Sequence, residues 1–174
     1  NELRHARFLY EGVSYADLAH VLMLIEVGVV PEKPGERLLA ALVDLHDMER
    51  APLELDARRG DLYENRDAEL RRRLGKDAGW LHAGRARREA LTIGWLLHLR
   101  RAAAALVRDA IDLVRKLTAV SERHAGVLMP DFTYLQHAHP TTLGHFLLGF
   151  AYPLLRDAER LRRAHAVYPI TVVE

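Results

Sequence analysis

Met129 to His145 reads MPDFTYLQHAHPTTLGH, and it lies between two long helical patterns. It carries Thr133, Tyr134, Gln136, His137, His139, Thr141, Thr142 and His145. A connector between bundle helices needs little beyond polarity and turn residues, so this density of hydrogen-bonding groups marks functional surface. It reads as a loop, and no run in the chain reads as a sheet.

Upstream, from about Arg88 to Arg123, Leu96, Leu99, Ala103, Leu106, Ala110, Leu113, Leu117 and Val120 recur at alternating spacings of three and four. That is a heptad sustained over about 50 Å of helix, at ~1.5 Å per residue. Leu97, Ala104, Val107, Ile111 and Val114 form a second row beside it. Two apolar rows need at least two neighbours, so the helix belongs inside a bundle. Downstream, a helix to about Ala166 turns Leu143, Leu147, Phe150, Leu154 and Leu161 inward, with a kink expected at Pro153. Pro169 ends it, before a short β-branched tail at Ile170 to Val173. Two such helices cannot cover each other's rows; other helices of the polypeptide or other subunits must.

The N-terminal part reads as shorter helices. Residues 14–29 form one, with Ser14 as N-cap, Asp17 three residues on and Leu18, Val21, Leu22, Ile25 and Val29 on one face. Pro31, Pro34 and Gly35 stop it, and residues 36–49 form the next, with Glu36, Arg37 and Glu49 outward. Ala51 to Glu64, with Pro52 and Gly60, is a connector. A short helix from about Arg66 to Leu74 is closed by Gly75, and a loop leads into the long helix. The expected fold is all-α: a small helical domain over residues 1–80, then the long-helix bundle over 81–174.

Composition excludes several classes. Lys and Arg number 25 against 24 Asp and Glu, which leaves no basic face for nucleic acid and no charge bias towards an anionic membrane. Glu26 and the arginine pairs interrupt the apolar runs short of the roughly 20 residues that span a bilayer. There are no cysteines, which excludes a disulfide framework and thiol catalysis and agrees with a reducing cytoplasm. His137, His139 and His145, with His20 or His82, have no metal-ligand spacing, so no metal and no cofactor is expected. The first residue is Asn, so the native reading frame is expected to begin earlier.

The second chemical stretch is Leu81 to Glu89, LHAGRARRE, which places Arg85, Arg87 and Arg88 at the start of the long helix. Free backbone N–H groups and the helix dipole favour an anion there, and guanidinium binds carboxylate through two parallel hydrogen bonds. The same pattern also serves as a solvated helix start, and the residues alone leave both readings open.

Pro130, Thr133, Leu135, Gln136, Ala138, Pro140, Thr142, Gly144 and His145 resemble the second signature of the argininosuccinate lyase and delta-crystallin family, within the fumarase/aspartase superfamily. His82, Gly84, Arg85 and Arg87 match its first signature, H-T-G-R-S-R-N-D. Asp61, Asp67, Leu70 and Gly75 fall at its E-D-x-H segment and the following helix, and Tyr10 to Leu24 resembles its early substrate-facing segment. The motifs are collinear across nearly the whole chain. The resemblance implies an all-α homotetramer that cleaves a carbon–nitrogen bond in a succinyl compound and releases fumarate. A base takes a proton beside a carboxylate, an aci-carboxylate is stabilised, and an acid protonates the leaving nitrogen. By carry-over Arg87 and Thr133 hold substrate carboxylates and Gln136 supports the site; Arg88, Arg85 and Asp17 are further binding candidates.

The departures matter as much. Tyr134 stands in place of the family's active-site His, and a phenol cannot carry that group's positive charge. Ala86 replaces a Ser, Arg88 an Asn, Glu89 an Asp, Tyr63 the His of E-D-x-H, Gly60 its Glu, and His139 a Gln. Asp17 falls at a usual Ser and Val13 at a usual Asp. The third signature, which carries the catalytic Ser, is absent from these residues. Two expectations follow. One is a cytoplasmic lyase acting on a dicarboxylate-type substrate, with Thr133 and Tyr134 catalytic and the base supplied from outside this chain. The other is a silent structural or regulatory homologue that needs a complementary chain.

Overall fold

The computed structural model describes Leu3 and residues 6–47 and 55–167. The expectations for Glu49, Pro52, Pro169 and the tail at 170–173 lie outside those residues. Among the described residues, five helices and one two-stranded sheet follow in the order α1 Ala6–Glu26, α2 Glu32–His46, α3 Leu62–Leu74, α4 Arg87–Arg123, β1 Leu128–Thr133, β2 Gln136–Thr142 and α5 Leu143–Val167. Short 3-10 segments, Ala57–Arg59 and Gly75–His82, precede α3 and α4. The all-α expectation holds apart from the hairpin.

Compactness divides the chain inside α4, into residues 1–99 and 100–174. In the first unit, α1 starts eight residues ahead of Ser14 because Ala6, Leu9, Tyr10 and Val13 already supply the helical apolar spacing, and all four are buried. Ser14 is therefore not an N-cap; it lies inside the helix, fully buried, and Asp17 is buried beside it. Pro34 and Gly35 do not stop α1 but sit in the first turn of α2, where a missing N–H costs no hydrogen bond. The expected face of α1 is also only partly inward: Val21 is buried, whereas Leu22 and Val29 are exposed.

α3 begins at Leu62, ahead of the expected Arg66, because Asp61 and Glu64 form a reciprocal capping box. Asp61 accepts from the Glu64 N–H at 3.1 Å, and Glu64 accepts from the Asp61 N–H at 3.2 Å. Gly75 closes the helix as expected, with a φ of 59°. Two apolar clusters hold the unit together. Leu9, Tyr10 and Val13 of α1 pack with Leu62 and Tyr63 of α3 and Ala90 of α4. Val21 packs with Leu38, Leu42 and Leu45 of α2, Leu70 of α3 and Leu81. Burying a side chain such as Leu38 or Leu42 contributes about 1.5–3 kcal/mol against the entropy of ordering the chain.

α4 starts at Arg87, within one residue of the heptad-based expectation. Its Leu99, Leu106 and Leu113 are about half exposed, so the apolar rows that need outside cover are open. By length and composition α1 and α4 are each apolar enough to cross a membrane. Charges still interrupt both stretches as expected, Glu11 and Asp17 within α1 and Arg100 and Arg101 within α4, so neither is an uninterrupted apolar run. Half of the α1 stretch is buried among the helices of its unit.

In the second unit the stretch expected to be a loop is a β-hairpin. Leu128 pairs with Thr142, Pro130 with Pro140 and Thr133 with Gln136, with a register shift between Pro130 and Phe132. A two-stranded ribbon consists only of edges, which is where proline is tolerated, so the paired prolines do not prevent it. The Leu143 N–H donates to Val127 O at 2.9 Å and the Gly144 N–H to His124 O at 3.2 Å, tying the ribbon's exit to the end of α4. A Cβ on Gly144 would lie 2.5 Å from Ser121 O, so this contact requires glycine.

Candidate functional site

In the first unit the candidate residues gather where the loop 82–86 crosses α1 and α3. Two histidine contacts and a glycine turn hold that loop. His82 Nε2 lies 2.8 Å from Asp67 Oδ1, His20 Nε2 lies 3.0 Å from Ala83 O, and Gly84 turns the chain at a φ of 66°. Arg85 then reaches inward. It donates to Ala16 O at 3.1 Å, to Asp17 Oδ1 at 2.6 Å and to Tyr63 Oη at 3.3 Å.

Asp17 is shared. Its Oδ2 accepts from Arg66 Nη2 at 3.1 Å, and both side chains of that pair are 1% exposed. Asp17 and Arg85, two of the expected binding residues, are thus brought together across 68 positions of sequence, but as partners of each other in the interior. Arg66 was not singled out in the sequence, although the signal is present. Leu62, Arg66 and Leu70 are spaced at i, i+4, i+8, which puts this arginine on the buried face of α3, against Tyr10, whose ring centroid is 4.9 Å from its Cζ. Burial of His20, and next the Arg85 charge, push its imidazole below the usual histidine range, so it stays neutral. Burial raises the phenols of Tyr10 and Tyr63, which likewise stay neutral.

Arg87 is placed differently. As the first residue of α4 it is 42% exposed, paired with Glu64 and 3.5 Å from Asp61 Oδ2. The capping box of α3 therefore supplies the carboxylates that this guanidinium holds here. Arg88 is exposed.

In the second unit Thr133 and Gln136 face one another across a two-residue turn made by Tyr134 and Leu135. Those two residues are 95% and 93% exposed and have φ values of 47° and 61°. Such tight hairpin turns favour Asn-Gly or Gly-containing pairs, and a side chain in this region costs about 1–2 kcal/mol per residue. Behind the tip, the rings of Phe132 and His137 pack at 5.0 Å. Among the described residues no group of three or more His, Asp or Glu side chains is set to hold a metal ion.

A capped short helix, one very long helix entered through an arginine-bearing loop, and a strained turn before a second long helix make up an all-α scaffold. The chain belongs to the lyase family of the fumarase/aspartase superfamily, as its match to the family model described as Lyase over residues 20–172 shows. It is 40% identical over 161 residues to argininosuccinate lyase of Methanoculleus marisnigri, covering 92% of this chain and 33% of that protein. It is 30% identical over 154 residues to argininosuccinate lyase of Methanothermobacter thermautotrophicus, covering 88% of this chain and 33% of that protein. Among solved structures, a variant of EDDS lyase with bound fumarate superposes with a TM-score of 0.80 at 25% identity, over 92% of this chain and 31% of that one. Fumarate lyase:delta crystallin from Brucella melitensis shares the fold, with a TM-score of 0.72 at 20% identity over 96% of this chain and 44% of that one. The chain spans about a third of the length of the curated relatives it matches.

Proposed function

We propose that these residues form part of a carbon–nitrogen lyase of the argininosuccinate lyase type, which eliminates fumarate from an N-succinyl-type substrate. The carrying observation is the hairpin tip, where Thr133, Tyr134 and Gln136 are gathered on a turn whose two central residues both hold positive φ. A two-residue hairpin turn requires positive φ at both central residues, and filling it with Tyr134 and Leu135 in place of Asn and Gly keeps two large side chains at the tip against a conformational cost. In this reading Thr133 and Arg87 hold substrate carboxylates, Arg88 adds a third anchor and Gln136 orients the hairpin. Tyr134 donates a hydrogen bond or a proton to the leaving nitrogen. Asp17 and Arg85 act from the interior, fixing the loop that ends in Arg87. A substrate carboxylate reaches Arg87 by exchanging with Glu64, which is itself 41% exposed. The base and the rest of the cradle come from the remaining polypeptide or from further subunits of a homotetramer, whose helices would cover the open rows of Leu99, Leu106 and Leu113. A reducing cytoplasm suits a chain without cysteine.

A second reading, a silent homologue that keeps the bundle for a structural or regulatory role, is favoured by Tyr134, Ala86 and Arg88 at positions where the family has other polar groups. Fumarate release by the intact native polypeptide, from argininosuccinate and from a series of N-succinyl amines, separates the two. Under the lyase reading one substrate turns over and Tyr134→Phe lowers kcat by about 100-fold or more, the usual range for a lost proton donor. Unchanged turnover would remove Tyr134 from the mechanism, and a folded protein inactive on every substrate would leave the silent role.

A further inference from the structure

Glu64 is held in place by more than its charge. Its Oε2 accepts from the Asp61 N–H at 3.2 Å, which is the side-chain half of the α3 capping box. Gly60 leaves the space that this carboxylate fills: a Cβ at residue 60 would overlap the same Oε2, and the φ of 103° there favours glycine. The position where the resemblance expects a Glu, residue 60, is thus covered by the carboxylate of residue 64. Its other oxygen, Oε1, accepts from Arg87 Nη1, and Asp61 Oδ2 lies 3.5 Å from that nitrogen. Two carboxylates therefore face one guanidinium. Arg88 and Glu89, the next residues of α4, are both exposed and opposite in charge, so they add no net charge, and Arg85 is turned inward onto Asp17.

We infer that Glu64 is a tethered competitor for the substrate carboxylate at Arg87 and so sets how tightly substrate binds. The inference rests on the reading above, in which Arg87 holds such a carboxylate. A carboxylate anchored on α3 stands at a fixed effective concentration beside the guanidinium, and a dissolved one must displace it. The capping bond and the fit over Gly60 reduce the rotamer freedom that usually weakens an exposed ion pair. Displacement strands no group. Glu64 keeps the Asp61 N–H, Asp61 Oδ1 keeps the Glu64 N–H at 3.1 Å, and the released Glu64 oxygen is open to water. The exchange therefore lowers affinity without unravelling the start of α3.

Glu64→Gln removes the charge and keeps the fold, because glutamine at this position still accepts from the N-cap N–H. In the intact native polypeptide at fixed ionic strength, calorimetric titration with succinate should give a Kd about two- to fivefold lower in Glu64→Gln, the range spanned by a partly exposed ion pair. KM for an N-succinyl substrate that turns over should fall by the same factor. Loss of a merely structural contact would weaken binding, not tighten it. In an Arg87→Gln background the tightening should vanish, since the contested guanidinium is gone. An equal Kd in Glu64→Gln and the unaltered protein would overturn the inference, as would weaker binding in the variant, which would make Glu64 a support for Arg87. The same tightening in the Arg87→Gln background, or no succinate binding to either protein, would overturn it too. A polypeptide that turns over no N-succinyl substrate, yet binds succinate more tightly as Glu64→Gln, would sink the lyase reading and leave the competition at Arg87 standing.

Discussion

Gly12 of α1 and Gly94 of α4 meet at a backbone contact that leaves no room for a side chain. A Cβ on Gly12 would lie 2.6 Å from Gly94 Cα and 3.0 Å from its carbonyl oxygen. From the other side, a Cβ on Gly94 would come within 3.2 Å of Leu9 O. The start of the long helix is seated on the small helical unit through this crossing, with Val13 and Ala90 packed close by. Small residues are what allow two helix backbones to approach this closely.

Gly12→Ala should therefore force α1 and α4 apart and destabilise the protein by about 1–3 kcal/mol, the usual cost of overpacking. Urea unfolding would show it as a lower midpoint at unchanged slope. A midpoint equal to that of the unaltered protein would mean that the crossing is loose.

The hairpin tip offers the opposite sign. Leu135 is 93% exposed with a φ of 61°, so replacing it with glycine removes a strained side chain and little buried surface. Leu135→Gly should stabilise the folded protein by up to about 1 kcal/mol, the excess cost of this conformation for a residue with a Cβ. If the strain serves to hold Tyr134 in place, the same variant should lose turnover as it gains stability, which thermal unfolding and fumarate release would read separately.

His20 makes stability depend on pH. Burial first, and then Arg85, hold its imidazole below the usual histidine value of about 6.5. As pH falls through that value the unfolded chain takes up a proton that the native state still refuses, so stability declines until the native His20 itself titrates. His20→Gln, which keeps a donor for Ala83 O, should flatten the decline between about pH 7 and pH 5 in urea titrations. An identical slope in the variant would place the acid sensitivity elsewhere.

How much of this was legible beforehand differs from element to element. The sequence by itself determined the long helix to within one residue, because a heptad maintained over about seven turns leaves no competing period. It also determined the Gly75 stop, the all-α class and the family, whose collinear motifs depend on order and spacing alone. The start of α3 was written in Asp61 and Glu64 as well, but the surrounding charges read as a connector.

The tertiary structure decided what depends on partners far apart in the chain. The hairpin was hidden because its strands carry paired prolines and its turn lacks the glycine that normally signals one. Ser14 and Asp17 have the spacing of a helix start, yet they are interior because apolar residues upstream extend the helix past them. That Asp17 holds Arg66 and Arg85, 49 and 68 residues away, follows only once α1, α3 and the 82–86 loop are packed together. Local spacing sets a helix through bonds four residues long, whereas the meaning of a charge is set by whatever the fold places beside it.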